Sequence, residues 1–202
     1  KIDWKPNFIQ RNEGSPLKNI SISCGNATQK GEAVITKFGL EGNAIYGLSP
    51  QIRAALDVNS KATVFIDFKP SLTLQNVNSK INRSTYRNTT EVLKKELKLS
   101  GSKIDLLKMH LSKESYLNTE SLANNIKKFS LEITNLASVD ESISTVGGID
   151  QDAVSENFEL QSIQNQFCTG EMLDWDAPTG GYLLQACASI GVSVAKHLNK
   201  IN

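Results

Sequence analysis

The sequence predicts an α+β protein, in which an antiparallel barrel or sandwich fragment is followed by helices, a return to strand, and a closing strand-loop-helix. Three observations carry this expectation. Apolar and polar residues alternate before residue 70, apolar residues recur at helical spacing between 71 and 128, and alternation returns at Phe129. In a chain of 202 residues, roughly 70% of the unfolded surface can be buried, so a core can form without staples.

The opening residues, with Trp4 and Phe8 among polar residues, Pro6 and Gly14, read as irregular. Asn19 to Cys24 alternates, with Ile20 and Ile22 on one side, and Gly31 to Phe38 is a second strand. The turn signal Gly25-Asn26 between them predicts a hairpin, and Gly39 and Gly42 break the second strand. Ala44 to Leu56 is a weak helix with Pro50 at a boundary or kink, and Lys61 to Phe68 is a β-branched and aromatic strand ended by Pro70. Helices are expected over Leu72 to Ile81, Thr90 to Leu99, Ser102 to Leu111 and Thr119 to Lys128. Ser102 with Asp105 reads as a capping pair, and Thr119 as the cap of the last of these helices. Phe129, Leu131 and Ile133 alternate in a strand that should rejoin the first sheet. A short helical turn is expected at 138–141, and an irregular polar stretch over Asp150 to Leu160.

Net charge is only +1, but it is unevenly spread. Residues 71–128 carry eleven Lys or Arg against five acids, whereas 129–195 carry ten acids and no Lys or Arg, which supports a boundary between the two stretches. The basic stretch has only Tyr86 and Tyr116 as aromatics, and its Lys and Glu at helical spacing read as a solvated face rather than a nucleic-acid surface. No apolar run approaches the ~20 residues needed to span a bilayer, so no membrane partner is expected. Cys24, Cys168 and Cys187 are odd in number, far apart and set among apolar or small residues. That argues against a disulfide framework or a zinc site, and for a reducing cytoplasm. His110 and His197 lack partners at useful spacing and read as surface or packing residues.

Chemistry concentrates in FCTGEMLDWDAPTGGYLLQACASIG, Phe167 to Gly191. Gln166 to Thr169 reads as a strand end, and Thr179-Gly180-Gly181 as the start of a helix running to about Leu198. A helix start offers unpaired N–H groups and partial positive charge, and glycines admit a ligand close to the backbone. An anion or electron-rich carbonyl is the natural guest. The small residues Ala186, Cys187, Ala188, Ser189, Gly191, Ser193 and Ala195 allow close packing, so the helix is expected to be buried. The plain alternative is a core helix preceded by a solvated acidic loop.

GEMLDWDAPTGGYLLQA, together with TVGGI at Thr145 to Ile149 and KGEAVITKFGLEGNAIYGLS at Lys30 to Ser49, resembles the BaiN-like flavoproteins, the aminoacetone-oxidase-type FAD-binding family. The resemblance covers essentially the whole chain. It implies a β-barrel-like insert domain over 1–70 and 129–144, a small helical subdomain over 71–128, and the C-terminal segment of an FAD-binding dinucleotide fold over 145–202. Residues implied to face FAD are Gly147, Gly148, Gly170, Glu171, Thr179, Gly180, Gly181 and Tyr182. Glu171 would accept from ribityl hydroxyls, while the N–H groups of Gly180, Gly181 and Tyr182 would face the flavin pyrimidine edge and raise its reduction potential.

The resemblance further implies FAD-dependent oxidoreductase activity in a longer chain, with NAD(P)H as an electron donor and a small-molecule substrate. The G-x-G-x-x-G fingerprint that grips FAD pyrophosphate does not occur in the sequence. An N-terminal FAD-binding portion is therefore the expected partner, and the chain alone is expected to be inactive and to bind FAD weakly or not at all. Two other readings stand beside this one. Asp174-Trp175-Asp176 fits a D-x-D metal motif of the kind used with nucleotide sugars, and the chain could also be a non-catalytic interaction or lid module.

Overall fold

A computed structural model describes residues 1–201. The chain divides into two compact units, Lys1–Leu136 and Ala137–Asn202.

In the first unit, β1 (Pro16–Cys24) and β2 (Ala27–Thr36) form the expected hairpin. With β3 (Gly39–Glu41), β4 (Ala62–Asp67) and β5 (Phe129–Ile133) they make a curled antiparallel half-barrel in the order β3-β2-β1-β4-β5. The strand at Phe129 thus rejoins the first sheet, pairing along β4 from Ala62 opposite Ile133 to Ile66 opposite Phe129. The first residues tie the sheet's two sides together. Ile2 N–H donates to Phe38 O at 2.8 Å, Thr134 N–H donates to Lys1 O at 2.9 Å, and Trp4 Nε1 donates to Thr36 O at 3.0 Å.

The opening is not irregular as the sequence suggested. Pro6, whose missing N–H costs nothing in a first turn, starts α1 (Pro6–Asn12), which buries Phe8 and Asn12. The second strand does end before Gly39, but Gly39 opens a further strand. The chain turns at Lys37-Phe38 and pairs back as β3, and Gly42 closes the pairing at φ 112°, where a Cβ would lie 3.0 Å from Glu32 O. The single weak helix expected next is two, α2 (Asn43–Tyr46) and α3 (Ser49–Asn59), with Pro50 in the first turn of α3.

The helical stretch comprises α4 (Leu74–Asn82), α5 (Thr89–Lys95), α6 (Gly101–His110), α7 (Lys113–Leu117) and α8 (Thr119–Lys127). Leu93, Leu97, Ile104, Leu106, Leu107, Leu122 and Ile126 join Ile22, Val64, Ile66, Phe68 and Phe129 of the strand region in one buried cluster. The caps differ from expectation. Asn118 Oδ1, not Thr119, accepts Ser121 N–H at 2.9 Å, since an Asx side chain one residue earlier reaches the third amide with better geometry. Ser102 lies inside α6, bonded to Ser100 Oγ at 3.0 Å, and Asp105 accepts from Asn12 Nδ2 at 3.2 Å, so they are not a capping pair.

Two lysines hold the exit of β4. The β1–β2 register shifts between Leu17 and Ile20, where Asn19 sits at φ 52°. Buried Lys103 Nζ donates to Lys18 O at this bulge, at 2.6 Å, and to Phe68 O at 3.1 Å. Burial, seconded by the charge of Lys69 and opposed by Asp67, lowers the Lys103 ammonium from 10.5 to about 8. Lys127 Nζ pairs with Asp67 at 2.6 Å and donates to the carbonyls of Lys69 and Leu72. Cys24 is a core thiol whose pKa is pushed up by burial.

The second unit is built mostly from turns. After the 3₁₀ turn Val139–Glu141 come isolated bridges joining Ile149 to Leu173 in parallel, and Val154 to Leu160 and Glu159 to Phe167 in antiparallel fashion. A 20-residue helix, α9 (Tyr182–Ile201), closes the unit. Its expected burial is not observed. Among the described residues, Val194 is the buried apolar side chain of α9, while Leu184 is 78% and Val192 53% exposed. Nor is any helix among them long and apolar enough to cross a membrane.

Candidate functional site

The second unit draws the two glycine-bearing segments of the sequence together. Ile149 N–H donates to Met172 O and Asp174 N–H donates to Ile149 O, both at 2.8 Å, which zips TVGGI onto GEMLD. Gly148 is obligatory there, because a Cβ would fall 2.6 Å from Met172 O and 3.1 Å from Asp174 N. Its bareness therefore serves backbone packing within the unit. Side chains reinforce the zipper. Glu171 Oε1 accepts Thr145 N–H at 3.3 Å, Asp174 Oδ1 accepts Gly147 N–H at 2.9 Å, and Gln151 Nε2 donates to Asp174 O at 3.3 Å.

Gly170, at φ 62°, and Glu171 begin a 3₁₀ turn that packs against α9, so close that a Cβ on Gly170 would lie 4.0 Å from Cys187 Sγ. A cleft of about 460 Å³ opens at this place. Gly170, Glu171, Trp175, Leu183, Cys187 and Ile190 are among its lining residues, and Glu156 adds a second carboxylate. Thr179, Gly180, Gly181 and Tyr182 do not line it. They form the turn into α9, in which Gly181 O accepts Gln185 N–H at 3.1 Å and so stands at the helix N-cap, two residues after Thr179.

The candidate residues thus form two groups. Gly147, Gly148, Gly170 and Glu171 are joined through the zipper, and Thr179 to Tyr182 are the entry to α9, whose first two turns flank Gly170. The backbone is open at three of the glycines. A Cβ would meet nothing within 4 Å at Gly147 or Gly181, and only the Tyr182 ring, at 3.6 Å, at Gly180. All three have positive φ, 87°, 89° and 107°. An exposed carboxylate at Glu171 can accept from hydroxyl donors, and the open glycine backbone leading into α9 can receive an electron-rich group.

The sequence suggested Asp174 only as part of a D-x-D motif and gave Gln151 no role, yet both hold the zipper together with Thr145. Each segment carries an apolar residue followed by an acid, Ile149-Asp150 and Leu173-Asp174, and that match is the signal that could have paired them. Asp174 is engaged by Gly147, and among the described residues no group of three or more His, Cys, Asp or Glu is placed to hold a metal ion. The histidines pack. His110 lies 4.9 Å from the Phe129 ring and 3.4 Å from Ser130 Oγ, and His197 lies 6.0 Å from the Phe167 ring.

Comparison with known families gives a match. The family described as "HI0933-like protein barrel and H2TH domain" matches residues 1–144, the first unit and the start of the second. No curated protein matches the chain.

Proposed function

Because the chain belongs to the HI0933-like family of FAD-dependent oxidoreductases, we propose that its second unit supplies the flavin and ribityl contacts of such an enzyme. Glu171 accepts a ribityl hydroxyl, while Gly147 and the N–H groups at Gly180, Gly181 and Tyr182 lie along the ring edge. FAD, when bound, accepts and passes on electrons, with a reduced nicotinamide as donor and a small organic molecule as substrate. The part played by this chain is electrostatic and positional. A helix start beside the ring contributes about 0.3 to 2 kcal/mol toward the charge that gathers on reduction, and a charge-assisted bond at Glu171 about 1.5 to 3 kcal/mol toward retention.

The observation that carries this reading is the Thr145–Glu171 bond, which joins two of the segments that it assigns to the flavin. A second observation supports a partner. Besides the stripe Leu183, Ala186, Cys187 and Ile190 that lines the cleft, α9 exposes Leu184, Ala188, Val192 and Ala195, and a helix apolar on two sides is one that something else covers. The proposed cover is the dinucleotide-fingerprint portion of the enzyme. The first unit, with its own core, is the insert module.

The test is a visible spectrum. The 202-residue chain is expected to purify colourless, whereas a longer polypeptide carrying the fingerprint is expected to purify yellow. Glu171→Ala in the longer form should weaken flavin binding by roughly ten- to a hundredfold. A colourless longer protein that takes up no added FAD would refute the reading.

A further inference from the structure

Asp174 is the residue of the zipper whose chemistry the flavin reading does not use. Its carboxylate accepts from Gly147 N–H at 2.9 Å, the shortest side-chain bond in the zipper. Its own N–H donates to Ile149 O at 2.8 Å, and its carbonyl accepts from Gln151 Nε2 at 3.3 Å. One residue therefore grips the TVGGI turn at Gly147 and Ile149, and Gln151 just beyond it. Gly147 needs such a grip, because at φ 87° with nothing within 4 Å of its Cβ position it has neither packing nor side-chain sterics to fix it. Gly148 by contrast is fixed by close backbone packing.

We propose that Asp174 is a positioning residue that sets the Gly147 peptide, and through it the alignment of the glycine turn against the flavin. This rests on the flavin reading for its ligand but not for its geometry. The role is that of a hydrogen-bond acceptor and not of a charge: an N–H donor toward an exposed carboxylate needs an oxygen at the right place, and an amide oxygen supplies one. Asp174→Asn therefore keeps the function and Asp174→Ala loses it.

Two measurements decide the matter. In the 202-residue chain, amide hydrogen exchange at Gly147 is expected to quicken several-fold in Asp174→Ala and to stay near the parent rate in Asp174→Asn, with circular dichroism verifying that both variants fold. In the longer polypeptide, Asp174→Ala is expected to weaken FAD binding about tenfold and to shift the visible flavin band, with Asp174→Asn restoring both. Unchanged Gly147 exchange in Asp174→Ala overturns the proposal, as does an Asp174→Asn variant as impaired as Asp174→Ala, which would make the charge the active feature. If the parent longer protein binds no FAD, the flavin reading fails and takes the alignment role with it. If it binds FAD and Asp174→Ala binds equally well with the same spectrum, the positioning role alone fails.

Discussion

The two units solve the problem of holding a chain in place by opposite means. In Lys1–Leu136, strands and helices share one buried apolar cluster, and full burial of a Leu, Ile or Phe side chain is worth about 1.5 to 3 kcal/mol. In Ala137–Asn202, the buried apolar side chains among the described residues are Cys168 and Val194, and order comes from short backbone pairings, 3₁₀ turns and carboxylates on amides. Such bonds contribute about 0.5 to 1.5 kcal/mol each against water. Ile143, 92% exposed, and the outer stripe of α9 are apolar surface that this unit leaves uncovered. A scaffold with a large apolar core and a segment built from turns lie apart along one chain, and the segment of the proposed flavin contacts is the one with the least core of its own.

The largest effect expected from this contrast lies in the first core. Phe129 is fully buried, 5.2 Å from the Phe68 ring and 4.9 Å from that of His110. Phe129→Ala should cost about 3 to 5 kcal/mol in urea-induced unfolding of the chain. Val194→Ala should leave that transition in place and alter only the exchange of α9 amides. Equal losses from the two substitutions would abolish the distinction between the units.

How much of this was legible in the sequence obeys the same division. Where apolar residues keep a period, as in Ile20 and Ile22, the run from Ala62 to Phe68, or Leu122 and Ile126, the element can be read because burial and periodicity are one constraint. The misses are local. α1 hid behind Pro6, β3 is three residues long, and Asn118 won the cap from Thr119 by a single position. In the second unit, periodicity gives little information, because its pairings join Ile149 to Leu173 across a long polar interval. The glycines were visible as chemistry, yet the duty of Gly148 toward the Met172 carbonyl is a tertiary fact that no spacing shows. The burial expected of α9 failed because small and apolar residues mark a helix that wants covering, not its cover.

A smaller effect tests whether the first unit is held by polar bonds as well as by its core. Lys103 is buried, donates to Lys18 O and Phe68 O, and titrates at about 8 instead of 10.5. The folded value lies below the unfolded one, so between about pH 8 and 10.5 the unfolded chain holds more protons and stability rises with pH through this group. Below pH 8 both states are charged and the contribution is flat. Urea midpoints compared with those of Lys103→Met should therefore diverge in favour of the parent as pH climbs through that window. Parallel curves would show that burial of this ammonium contributes nothing to folding.

The smallest effect concerns helix ends. Four helices of the first unit begin on side-chain caps, Thr73 for α4, Asn88 for α5, Ser112 for α7 and Asn118 for α8, whereas α1, α2, α3 and α6 have none. α9 instead starts on Gly180 and Gly181, where a polar side chain would compete with a ligand for the first amides. Asn118→Ala should cost about 1 kcal/mol, since the Ser121 N–H loses its partner, and Thr119→Ala markedly less. A thermal melt of both variants separates them, with Asn118→Ala melting a few degrees lower. If Thr119→Ala were the more damaging of the two, the cap would lie one residue later.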